Sequence, residues 1–208
     1  ERTRVYDQFR AKEKDIVTGQ IQRIEMRETK DGKKERIIHV DLGQIEGILL
    51  PAEQVETEQY KVYDRIKAYV LEVKDKGVKS KEPCVMISRS HPNLVKRLFE
   101  LEVPEIHDGV VEIMSIAREP GSRTKISVYS KDENVEPVGA CIGPKGTRIQ
   151  NVVDELRGER IDIIKWSSDP EELIASSLSP ARVLRTYIDE EAHSALVVVP
   201  EDQLSLAI

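Results

Sequence analysis

Through residues 14–90 the apolar positions fall in short runs with a period close to two, the pattern of half-buried strands. Ile16–Ile21, Arg36–Leu42, Ile45–Leu50, Arg65–Val73 and Cys84–Ser88 each predict a strand. Arg27–Glu35, around the turn pair Asp31-Gly32, reads as a charged loop, and Lys74–Glu82, around Lys76-Gly77, as a basic hairpin. Pro51–Gln54 reads as a helical turn. Five strands in ~75 residues, with a helical turn between the third and fourth, suit a small Greek-key barrel of the OB type. Before them, residues 1–13 are charged, with Val5 and Phe9 four apart on one helix face, and read as the end of a helix.

Beyond His91-Pro92 the pattern changes. Asn93 is expected to cap a helix over Leu94–Leu101 that Pro104 ends. Gly109–Ala117 and Arg123–Tyr129 predict antiparallel strands around Glu119–Ser122, with Ile126 and Val128 on one face and Lys125, Ser127 and Tyr129 on the other. Val135–Ile142 and Thr147–Arg157 predict helices, the second carrying Ile149, Val152, Val153 and Leu156 at helical spacing and Gly158 as its stop. Arg160–Trp166 predicts a third strand, and Trp166 is expected to plug the core. Residues 93–168 therefore read as one α/β unit.

Residues 169–208 repeat this order in outline: a helix Glu171–Leu178 capped by Asp169, strands Ala181–Ile188 and Ser194–Val199, then Leu206–Ile208 in the place of Ala140–Ile142. The offset is 72 residues from Ile116 to Ile188 and 66 from Ile142 to Ile208, as a repeat with a shorter internal loop would produce.

Composition narrows the function classes. The longest apolar stretch, Ala195–Val199, is far below the ~20 residues of a membrane helix. The first four residues are not those of a secretory signal, and two cysteines, Cys84 and Cys141, form no disulfide framework, so a cytoplasmic protein is expected. His39, His91, His107 and His193 are scattered singly, without metal-ligand spacing. No catalytic set or cofactor motif is present; Ser88 and His91 are near in sequence but lack an acid partner or oxyanion motif. The net charge is -6, and residues 169–208 hold eight acidic side chains against two basic ones. Any nucleic-acid binding must come from local sites and not from a global field.

One motif supplies such a site. Gly143-Pro144-Lys145-Gly146 is a GxxG between two predicted helices. Two glycines let the backbone turn tightly and approach a phosphodiester, Lys145 brings a cation to the tip, and Thr147 and Arg148 open a helix whose first amides favour anions. Ile142 and Ile149, with Ile161 and Ile163 on the next strand, are expected to form an apolar groove for unstacked bases, the KH mode of gripping about four nucleotides. A P-loop starting at Gly139 would need Gly at position 144 and Ser or Thr at 146, where the chain has Pro144 and Gly146. Lys33, Lys34 and Arg36 in one barrel loop and Lys76 and Lys79 in another read first as solvated charge, since acidic residues interleave, and are weaker candidates that could touch RNA phosphates together from one rim.

Ser88-Arg-Ser-His-Pro92, Gly109-Val-Val-Glu-Ile113, Arg118-Glu-Pro-Gly121, Val138-Gly-Ala-Cys-Ile-Gly-Pro-Lys-Gly146, Glu155-Leu-Arg-Gly-Glu-Arg-Ile-Asp-Ile163, Leu178-Ser-Pro-Ala181 and Gln203–Ile208 resemble the NusA family of bacterial transcription factors, in that order along the chain. The resemblance implies a multi-domain chain: a linker-helix end (1–13), an S-one-type OB barrel (14–92), a first KH domain of the prokaryotic type (93–168) and a second (169–208) whose own GxxG would follow Ile208. It implies a non-enzymatic monomer that binds nascent single-stranded RNA, with RNA polymerase held mainly by a domain outside this sequence. Other antitermination factors would be partners, and the role would be to modulate pausing, termination and antitermination. RNA-binding barrels of this type usually carry strand aromatics; here Ile37, Val40 and Leu50 stand in those neighbourhoods, with His39 the only ring. An exosome-cap-like RNA-degradation subunit and a pure protein-interaction module are the rival readings.

Overall fold

The computed structural model describes residues 2–77 and 81–208. Two compact units divide the chain, Glu1–Leu98 with Glu155–Gly158 and Phe99–Asp154 with Glu159–Ile208.

The first unit opens with α1 (Arg2–Arg10), which buries Phe9. Five strands follow: β1 (Ile16–Glu28), β2 (Lys34–Asp41), β3 (Glu46–Leu49), β4 (Arg65–Lys74) and β5 (Cys84–Ser88). They close in the order β1-β2-β3-β5-β4, with β3 and β5 parallel and every other pair antiparallel. Closure leaves no sheet edge unpaired. Ile21, Ile38, Val40, Leu49, Val70, Val85 and Ile87 fill the interior, each contributing roughly 1.5–3 kcal/mol by leaving water. Val40 is therefore a core residue, while Ile37 packs with Ile48, Cys84 and Met86 in a second cluster. The expected charged loop is shorter than the sequence suggested, because pairing continues through Arg27 with Glu35 to Glu28 with Lys34.

Two side chains brace this unit. Arg89 donates to both Glu58 oxygens, at 3.0 and 2.5 Å, and to the Lys67 carbonyl at 2.8 Å. Both side chains are almost fully buried. Tyr60 donates no charge of its own here: burial first, then the Glu58 carboxylate, pushes its phenol far up, and its oxygen accepts from the Val55 amide at 3.0 Å.

The sheet order also corrects one expectation. β4 runs antiparallel to β1, so the β4–β5 connection with Lys76 lies at the end where β1 begins, and the β1–β2 turn with Lys33 and Lys34 at the opposite end. The two basic loops do not share a rim. Lys79 lies outside the described residues.

α2 (Pro92–Glu102) starts with Pro92, so Asn93 is already inside it; the Asn93 amide donates to His91 Nδ1 and its side chain to Tyr69 Oη. α3 (Pro104–His107) is one further turn. In the second unit β6 (Val111–Glu119) pairs antiparallel with β7 (Arg123–Ser130), and β7 pairs parallel with β8 (Arg160–Lys165). α4 (Pro137–Ile142) packs on β7 and β8, and α5 (Thr147–Glu155) follows it. Ile113, Ile126, Val128 and Ile161 are buried, as are Cys141 and Val152 of the two helices. Glu159 ties the sheet end together from complete burial. It accepts from Arg118 Nη2 at 3.0 Å, the Gly121 amide at 2.7 Å and Thr124 Oγ1 at 2.8 Å.

The remaining residues form α6 (Pro170–Ser177), capped as expected by Asp169, then β9 (Arg185–Asp189) paired with β10 (Ser194–Val198), a 3-10 turn at Glu201–Gln203 and α7 (Leu204–Ala207). The predicted strand from Ala181 begins only at Arg185, because amide bonds from Ser179 to Ser176 and from Ala181 to Leu178 hold a turn there. No helix among the described residues is long and apolar enough to cross a membrane.

Candidate nucleic-acid interface

α4 owes its start to Glu136, whose carboxylate accepts from the Val138 and Gly139 amides. Pro137 sits at the first helical position, where its missing amide costs nothing. The helix stops at Gly143, whose φ of +76° is one a side chain would resist. Lys145 is left-handed too, at φ 55°, and Gly146 has φ +72°. Three of four loop residues thus hold left-handed backbone.

The two glycines serve different needs. A Cβ on Gly143 would come within 2.5 Å of Arg148 Cγ, so Gly143 makes room for the Arg148 stem. A Cβ on Gly146 would meet nothing within 4 Å. Gly146 is needed for its backbone conformation and leaves its outer side open.

Arg148 is not the free cation that its position suggested. Its Nη1 donates to Glu105 Oε2 at 2.9 Å and to the Ala140 carbonyl at 2.7 Å. Its side chain is a quarter exposed. It joins α3, the last turn of α4 and the first turn of α5 around the loop. Nothing in the sequence announced Glu105 as its partner, since 43 residues separate them. Thr147 Oγ1 donates back to the Pro144 carbonyl at 2.7 Å. Lys145 is exposed at the tip with Pro144 beside it.

Ile142 is 37% exposed, and Ile149, in the first turn of α5, is half-buried. Ile163 is half-buried on β8, whereas Ile161 lies in the core, because its partner across the sheet, Thr124, is itself fully buried. Ile142, Ile149 and Ile163 are thus at least partly open to solvent, and Ile161 is not. Directly below the loop, burial pushes the Cys141 thiol up to about 12, with the Glu105 carboxylate adding to the shift and Arg148 opposing it. Among the barrel candidates, Lys33, Lys34 and Lys76 are exposed, while Arg36 is held by Gln54 at 3.1 Å and lies over the Tyr60 ring. His39 is buried between Glu25 and Glu46, at 3.3 and 3.0 Å, and offers no open ring face. No group of three or more His, Cys, Asp or Glu side chains is placed to hold a metal ion among the described residues.

Residues 89–166 match the model of the NusA-like first KH domain, and residues 170–208 that of the NusA-like second KH domain. The whole chain is 50% identical to the transcription termination/antitermination protein NusA of Halalkalibacterium halodurans, covering 51% of it. It is also 50% identical to that of Bacillus subtilis, covering 53%, and 46% identical to that of Thermus thermophilus, covering 51%. The chain belongs to the NusA family. It spans about half the length of the curated relatives it matches. The family's first KH domain contains the loop described above, and its second KH domain matches the α6 to α7 segment.

Proposed function

We propose that this chain is the RNA-binding part of a NusA-type transcription factor that grips nascent single-stranded RNA at the first KH loop. The observation that supports this reading most is the loop itself: three left-handed residues between two helices, an open outer side at Gly146 and a solvent-exposed Lys145. Backbone amides at the start of α5 and the Lys145 ammonium meet phosphates. Ile142, Ile149 and Ile163 line the base groove. Gly143, Pro144 and Thr147 shape the turn, and Arg148 holds it from behind. In the full-length protein this part works beside RNA polymerase, contacts other antitermination factors and modulates pausing, termination and antitermination, as a cytoplasmic, monomeric and non-enzymatic protein.

Fluorescence anisotropy with a labelled single-stranded RNA across a salt series tests this. Pro144→Asp/Lys145→Asp is expected to weaken binding at least tenfold with an unchanged circular dichroism spectrum. Equal binding by both proteins would remove the loop from the site. Arg148 and Glu105 refine the picture. If Arg148 positions the loop, Arg148→Gln and Glu105→Gln both weaken binding, without changing the salt slope. If Arg148 meets a phosphate, Arg148→Gln lowers the slope by roughly 0.7 and Glu105→Gln tightens binding.

A further inference from the structure

The reverse face of the β6-β7-β8 sheet holds a second recess in the same unit. Residues 129 and 166 are both turned away from the face that α4 covers, as the pairing of Ser127 with Ile164 and of Val128 with Lys165 requires. Tyr129 and Trp166 meet edge to face, ring centres 5.7 Å apart at 81°. They lie in a cavity of about 410 Å³, shared with Lys165, Ser167, Glu172 and Ser176. Glu172 and Ser176 are four residues apart on α6 and form one wall. The expectation that Trp166 plugs the core does not hold: it is half-buried, and Tyr129 is 41% exposed.

Each part of this recess suits a nucleotide. This is the single Trp of a chain with only 4% aromatic residues, and it stands open beside a Tyr. The Glu172 carboxylate accepts from Ser167 Oγ at 2.6 Å, and its remaining lone pairs suit the exocyclic amine of a base.

We infer that the Tyr129–Trp166 recess is a second base-binding subsite, which stacks one base of the same single-stranded RNA on its rings and takes that base's exocyclic amine at the Glu172 carboxylate. This rests on the proposed RNA grip at the GxxG loop and extends the contacted strand beyond the about four nucleotides a KH groove holds.

Because Trp166 is the only tryptophan, its emission reports the site directly. The probe is an oligoadenylate of about twelve nucleotides, with one of about four as the groove-only control. The long probe is expected to quench Trp166 saturably, in step with anisotropy, while the short one binds with little quenching. Tyr129→Ala should weaken the long probe about 5- to 150-fold, the range of one lost base–aromatic stack, and leave the short one unaffected. Anisotropy binding with Trp166 emission unchanged would overturn the subsite and leave the loop reading intact. Quenching that survives in Pro144→Asp/Lys145→Asp with undiminished affinity would overturn the loop reading and keep the subsite. No binding of either probe by the unaltered chain would overturn both.

Discussion

The β6–β7 and β9–β10 hairpins carry similar alternating patterns and end in opposite environments. Ile126 and Val128 of β7 are fully buried, between β6 and β8 and beneath α4. Leu196 and Val198 of β10 are 65% and 39% exposed, in a two-stranded sheet with α6 beside β9. Period-two hydrophobicity therefore specifies a strand and its two faces, but not how deeply either face is covered. Coverage depends on a third strand and on helices that come from elsewhere in the chain.

The largest expected contrast lies at the end of the three-stranded sheet. Glu159→Ala leaves the Arg118 guanidinium buried without its carboxylate and should destabilise the chain by roughly 3–5 kcal/mol, measured by urea unfolding. A loss below about 1 kcal/mol would mean that water reaches Arg118 and that this sheet is no better sealed than β9–β10.

A matched pair of truncations comes next. Ile126→Ala should cost about 2–5 kcal/mol, whereas Leu196→Ala should stay within about 0.5 kcal/mol. Similar costs at both sites would remove the distinction between the hairpins.

The smallest effect concerns the thiol under the loop. Cys141 titrates near 9.0 when unfolded and is pushed up to about 12 by burial in the folded chain. Between those values the unfolded state has lost a proton that the native state keeps, so stability falls as pH rises, by at most ~1.4 kcal/mol per pH unit. Below the unfolded value this group contributes no slope. The difference in slope between the unaltered chain and Cys141→Ser checks it, and slow alkylation of Cys141 at neutral pH is its kinetic counterpart.

Most of the architecture was legible in the chain. The five barrel strands, the helices flanking GxxG, the Asp169 cap and the order of the second copy all follow from periodicity and turn chemistry, which are local properties. The GxxG loop was legible for the same reason, because its conformation is set by its own glycines. Roles that depend on a distant partner were not. The sequence put Arg148 forward as a phosphate ligand but could not show that Glu105 and the Ala140 carbonyl share its guanidinium. Ile161 read as a groove residue until its neighbours across the sheet placed it in the core.

The basic loops of the barrel show the same division. Their lysines and turns are written in the sequence, but which end of the barrel each occupies depends on β4 pairing antiparallel with β1, residue Tyr69 against Ile16. Trp166 and Tyr129, 37 positions apart, become neighbours only because β8 lies parallel to β7. By itself the sequence determined the elements, their faces and the GxxG turn, since backbone dihedrals and hydrophobic period act over a few residues. Tertiary structure decided which charges are already paired and which rings remain open, because Coulomb contacts and burial act between residues that only folding brings within a few ångströms.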